Sequence, residues 1–139
     1  MKVSFIEEAD WKANFSESAH LAGFKRYKDP MLEKIDFALL IHENDEVVAY
    51  ATFKELDKEN LYCQFCAGLG EHRGHLNSWR AFMSGIGFIS ERYKRVSALV
   101  ENDNFPMLKM AWKAGFRICG IRVFRGNILV EHVLEFKEQ

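Results

Sequence analysis

Long apolar runs, prolines, cysteines and an excess of either charge are all scarce in this sequence, and each scarcity excludes a class. No apolar run approaches the ~18 residues of a membrane-spanning helix. The opening MKVSFIEEADWKANF places acids at positions 7, 8 and 10, where a signal peptide needs an unbroken apolar stretch. A cytoplasmic protein with no membrane partner is therefore expected. Lys+Arg number 19 against 20 Asp+Glu, a formal net charge of -1, so no global field favours nucleic acid or an acidic surface. The three cysteines are an odd number without a secretory signal, which argues against a disulfide framework and for reduced, packed thiols. Pro30 and Pro106 are the two prolines, and no repeat, low-complexity tract or Pro/Gly/Ser-rich linker divides the chain. A single domain over residues 1–139 is expected, able to bury roughly two-thirds of its unfolded surface. Hydrophobic residues at 48% and charged residues at 28% are those of a folded globular protein.

What is present is a clear succession of patterns. KVSFI alternates as a strand, and Asp10 is placed to cap a helix starting at Trp11. Apolar positions 11, 15, 19, 22 and 27 recur at mostly helical spacing, with Gly23 as a break, so residues 11–27 read as a helical hairpin. Residues 37–42 and 46–56 form an antiparallel hairpin about the polar turn 43–45, and the turn 57–60 leads to a strand over 61–69. Leu76, Trp79, Phe82, Met83, Ile86 and Ile89 lie on one face of a helix, with Tyr93 continuing the stripe. Gly85 and Gly87 weaken that helix, by ~1 kcal/mol each relative to alanine, which implies close packing there. Residues 96–100 are apolar enough for a strand buried on both faces. Asn102, Asp103 and Asn104 offer caps to a helix with Pro106 in its first turn and Gly115 at its end. FRICGIRVF and ILVEHVLEF flank Arg125-Gly126-Asn127 as a hairpin.

The successive segments LYCQFCAGL, GEHRGHLNSWRAF, RVSALVE and NDNFPMLKMAWKAGF, within the order strand, two helices, three strands, helix, strand, helix, two strands, resemble the GNAT superfamily of acyl-coenzyme A dependent N-acyltransferases. The resemblance covers essentially the whole chain. It implies an α/β (α+β) fold with a mixed, mostly antiparallel sheet of six to seven strands, about four flanking helices, and a central parallel pair that splays apart. It implies acetyl-CoA as cosubstrate, with its pantothenate arm hydrogen-bonded to the splayed strands. The acceptor would be the amine of a small molecule or a protein.

Placed on the superfamily's phosphate loop, whose backbone N–H groups cradle the pyrophosphate, Arg73 takes the first motif position and Ser78 the last small one. Gly74 and His75 lie between them, and Leu76 stands where a glycine is usual. Asn104 and Gly115-Phe116 resemble the asparagine and Gly-Phe of the last motif, the asparagine helping to position the cofactor arm. The backbone N–H near Leu69 is the implied oxyanion donor. Glu101, at the end of the fifth strand, is the preferred general base, with Glu55 as the other available carboxylate. Ala111 occupies the position where a tyrosine often protonates the departing thiolate. An enzyme must compensate for Leu76 and Ala111; a binding module need not. The tail KAGFRICGIRVFRGNILVEHVLEF also resembles GNAT-like proteins of short-tailed bacteriophages, which implies an alternative role in virion assembly or inside the head, with a phage protein as partner.

Two further clusters compete. Cys63, Cys66, His72 and His75 are zinc-binding residue types. Residues three apart on a strand point to opposite faces, however, and only five residues separate the pairs, so no metal is expected. Trp79-Arg80, the run 92–95, and Arg117, Arg122 and Arg125 supply basic and aromatic character, read as solvated helix and strand surface and not as a nucleic-acid face.

Overall fold

The computed structural model describes residues 1–14, 35–68 and 76–136. Its elements are β1 (Lys2–Glu7), α1 (Glu8–Asn14), β2 (Phe37–Glu43), β3 (Glu46–Glu55), β4 (Asn60–Gly68), α2 (Leu76–Ser90), β5 (Arg95–Glu101), α3 (Phe105–Ala114), β6 (Arg117–Phe124) and β7 (Asn127–Glu135). The strands form one seven-stranded sheet in the order β1-β2-β3-β4-β5-β7-β6. Within it β4 and β5 run parallel, connected through α2, and every other neighbouring pair is antiparallel.

Turn chemistry fixes the hairpins. Asn44 and Asp45 take φ of 53° and 65°, and Arg125 and Gly126 take 49° and 79°. These left-handed pairs match the right-handed twist of the flanking strands, as two-residue hairpin loops require. Between β3 and β4, the carboxylate of Asp57 accepts hydrogen bonds from the backbone N–H groups of Glu59 (2.8 Å) and Asn60 (2.9 Å). Those bonds hold the Asp57 carboxyl below the usual carboxylate range, the side-chain bond from Asn60 being the largest cause.

Side-chain alternation divides the core between the two sheet faces. Phe37, Leu39 and Ile41 join Ala51, Phe53, Leu61 and Val96 on the face where α2 and α3 bury Ala81, Ile89 and Ala111. Ala38 and Leu40 join Ile6, Trp11 and Tyr50 on the other, where the Trp11 and Tyr50 rings meet edge-on at 5.3 Å.

Several expectations shift. Helix α1 begins at Glu8, directly after β1, so Asp10 lies inside the first turn instead of capping it, where its charge suits the helix dipole. The rest of the helical hairpin expected over 11–27 lies outside the described residues. In β5, Val96 and Val100 are buried and the residues between them are only half-buried, so one face carries the core instead of both. The close packing expected at the helix glycines is not found. A methyl on Gly85 would meet Ile41 Cδ1 at an ordinary 3.9 Å, and one on Gly87 would meet nothing within 4 Å.

Candidate functional site

The site originates in an irregularity of β4. Register runs Thr52↔Phe65 and then Phe53↔Cys63, so Gln64 is the inserted residue of a β-bulge. A bulge resets the alternation of side chains, and Cys63 and Cys66 consequently share the face of the larger core cluster. The premise that residues three apart must face opposite ways fails here for that reason.

The bulge also marks where the parallel strands part. Pairing between β4 and β5 runs from Asn60↔Arg95 to Cys63↔Ala98 and stops. Beyond it, β4 stays paired with β3 as far as Gly68↔Ala49, and β5 stays paired with β7 as far as Glu101↔Leu129. Each strand is thus held from its outer side while the inner edges form no ladder with one another. A wedge opens between residues 64–68 and 99–101, the divergence beginning after Cys63 and Ala98.

On the helical side of this wedge lies a cavity of about 440 Å³, within the range of small-molecule sites. Its floor is Ala49, Ala51, Cys63 and Cys66, with Trp79 and Phe82 from α2 as one wall. Asn104, Met107, Lys109, Met110 and Lys113 bring α3 to the other wall. Asn104 is the N-cap of α3, its Oδ1 accepting from Met107 N at 3.3 Å, with Pro106 in the first turn and Gly115 closing the helix at φ 102°. One helical turn separates Lys109 from Lys113, and Lys113 Nζ lies 5.5 Å from the centroid of the Trp79 ring. The cavity is therefore apolar within and cationic on its α3 side.

The two thiols line the same cavity on one face of the sheet. Interaction with the Cys66 thiol, together with burial, pushes the Cys63 thiol well up. The same interaction, opposed by burial, brings Cys66 below the ordinary thiol value.

No family profile matches the sequence, and no curated protein sequence matches it. Solved structures do. The IAA acetyltransferase from Bacillus cereus superposes with a TM-score of 0.74 at 12% identity, over 96% of this chain and 98% of that one. The ribosomal-protein-S18-alanine N-acetyltransferase from Escherichia coli gives 0.69 at 12% identity, over 99% and 95%. The fold is that of the GNAT acetyltransferases. A GNAT family acetyltransferase from Elizabethkingia anophelis with acetyl-CoA bound gives 0.63 at 17% identity, over 71% of this chain and 75% of that one. The mixed sheet and its parted parallel pair are thus a GNAT architecture, as the order of elements implied.

Among the expected site residues, Asn104 lines the cavity. Glu101 ends β5 on the unzipped segment, its main-chain carbonyl accepting from Asn104 N at 3.0 Å. By strand alternation from Val100, its side chain belongs to the opposite sheet face. Cavity and carboxylate thus lie on two sides of one wedge. Ser78 is in the first turn of α2, while Leu69, Arg73, Gly74 and His75 lie outside the described residues, as do His72 and the rest of the expected phosphate loop before Leu76. Glu55 is Cα partner to Leu61, which puts it at the zipped end of the parallel pair, away from the wedge. There it accepts from Tyr93 Oη at 2.8 Å, and burial followed by that bond pushes Tyr93 up to about 12. Ala111 is buried in the core cluster. Among the described residues no three His, Cys, Asp or Glu side chains gather as a metal site, and no helix is long and apolar enough to cross a membrane. Lys109, Lys113 and the thiol pair were not anticipated. The i, i+4 spacing of the lysines was a readable signal; the bulge that unites the cysteines was not.

Proposed function

We propose that the chain is an acetyl-coenzyme A dependent N-acetyltransferase that moves an acetyl group from a thioester to the amine of a small molecule or a protein, in the cytoplasm. One observation carries this reading: β4 and β5 part after Cys63 and Ala98 beside an apolar cavity with lysines on one wall. An extended pantothenate arm can add to the inner strand edges as another strand would. The apolar lining suits the arm's alkyl groups, and Lys109 and Lys113 suit its phosphates. Within this reading Arg73, Gly74, His75 and Ser78 hold the pyrophosphate, Asn104 positions the arm, and a backbone N–H at Leu69 receives the oxyanion. Glu101, across the wedge, takes the proton of an amine arriving from the far sheet face.

A second reading has its own support. Ala111 is buried in the core cluster, so the usual thiolate-protonating phenol has no place there, and a GNAT-fold binding module without catalysis needs none. The phage-assembly version of that reading draws no support from the comparisons. Calorimetric titration with acetyl-CoA separates the two. The enzyme reading expects binding and a rise in Tm, since ligand at about 100 times its Kd stabilises by about 2.7 kcal/mol. No heat and no Tm change at millimolar cofactor overturns it.

A further inference from the structure

Resting on the acyl-transfer reading above, we propose that Cys66 is a nucleophile that takes the acyl group from the thioester as an S-acyl cysteine, with Cys63 as its proton partner. The placement carries the inference. Cys66 sits on the part of β4 that has left β5, two residues past the bulge that opens the wedge, and both thiols line the cavity beside it. They share one face through that bulge, in a compartment otherwise lined mainly by apolar side chains. Two thiols on one cavity face, at the point where the reading above directs an acyl thioester, supply a nucleophile and a proton donor.

The chemistry closes on these two groups. Cys66 thiolate attacks the acyl carbon, forming a C–S bond as the bond to the donor sulfur breaks. The departing thiolate collects the proton held on Cys63, the donation that Ala111 cannot make. An amine, its ammonium proton already taken by Glu101, then attacks the acyl carbon of S-acyl Cys66, the Cys66 thiolate leaves, and the second amine proton returns to Cys63. No oxidant, metal or further reactant is needed, and the pair ends as it began.

The direction of the two thiol shifts agrees with these roles, Cys66 towards thiolate and Cys63 towards thiol. The other titratable side chains facing the cavity are Lys109 and Lys113 from α3; Tyr50 of β3 borders it with its ring on the opposite sheet face, and α2 contributes none. Lysine side chains on that wall favour an anion there. Cys119 on exposed β6 is a built-in control, because burial first and the Glu131 charge next raise its thiol.

The test has two arms. Site-resolved iodoacetamide alkylation of the reduced protein between about pH 6 and 9, spanning the ordinary thiol value, should give Cys66 a lower pH midpoint than Cys119. Cys63→Ala should raise that midpoint while leaving the circular dichroism spectrum unchanged. A Cys66 midpoint equal to or above that of Cys119, or no alkylation of Cys66, overturns the proposal. In the second arm the protein is incubated without amine, with acetyl-CoA and separately with the acetyl thioester of N-acetylcysteamine. One hydroxylamine-labile acetyl group on Cys66, absent from Cys66→Ser, is expected. Calorimetric binding of acetyl-CoA with no acetyl on Cys66 removes this inference and leaves direct transfer standing. Acetylation by the small thioester without cofactor binding keeps the nucleophile and removes the coenzyme.

Discussion

Filling the cavity should strengthen the fold while abolishing binding, a combination that few sites allow. Ala51 is 8% exposed, lines the cavity and is the Cα partner of Cys66 across β3 and β4. Ala51→Leu adds three carbons, worth up to about 2.4 kcal/mol at about 0.8 kcal/mol per buried methylene. Ordering the leucine side chain costs about 0.5–1 kcal/mol, leaving a net gain of about 1–2 kcal/mol. In a filled core the same change would overpack and cost about 1–3 kcal/mol, so the two cases differ in sign. At roughly 4 °C per kcal/mol for a chain of this length, thermal denaturation should show Tm rising by about 4–8 °C. Acetyl-CoA titration of the variant should show affinity falling at least about tenfold, since the new side chain occupies the space assigned to the cofactor arm. A lower Tm would mean that the cavity is closed in solution; a higher Tm with unchanged binding would place the cofactor elsewhere.

Other outcomes follow from single residues. If Glu101 is the base, Glu101→Gln should slow acetyl transfer by about 100-fold or more with cofactor affinity unchanged; an unaltered rate assigns the proton to another group. Gly87→Ala, with open space around the new methyl, should stabilise the protein by up to about 1 kcal/mol in a urea titration, and a loss would mean that something packs on that face. Gly115 holds φ 102° at the end of α3 with Leu134 Cδ1 3.5 Å from where a Cβ would lie, so Gly115→Ala should cost about 1–2 kcal/mol. Gly115→Asn should cost less, because asparagine tolerates the left-handed region, and equal losses would point to crowding in place of backbone strain.

Elements governed by local chemistry were legible in the sequence. The turns at Asn44-Asp45 and Arg125-Gly126 carry residues placed for positive φ or polar solvation, and α3 announces itself through Asn104, Pro106 and Gly115. Helix α2 starts at Leu76, where its apolar stripe begins. Features set by register were hidden. A bulge at Gln64 leaves no compositional mark, yet it turns Cys63 and Cys66 to one face and ends the pairing with β5. Glu55 and Glu101 were both available carboxylates near strand ends, Glu101 being preferred for its place at the end of the fifth strand. Antiparallel pairing of β3 with β4 sends Glu55 to the zipped end, while the direction of β5 carries Glu101 to the open one. The small alanines at 49 and 51, which leave room for the cavity, read only as ordinary strand residues until α2 and α3 are set above them.

Amide hydrogen exchange with and without coenzyme A tests the wedge most directly. Backbone amides of residues 60–63, already zipped to β5, should exchange alike in both samples. Wedge-facing amides among residues 64–68 and 99–101 should slow on addition of cofactor, as strand addition to those edges requires. Equal exchange of the two groups with saturating coenzyme A present would contradict the proposal that the parted strands receive it.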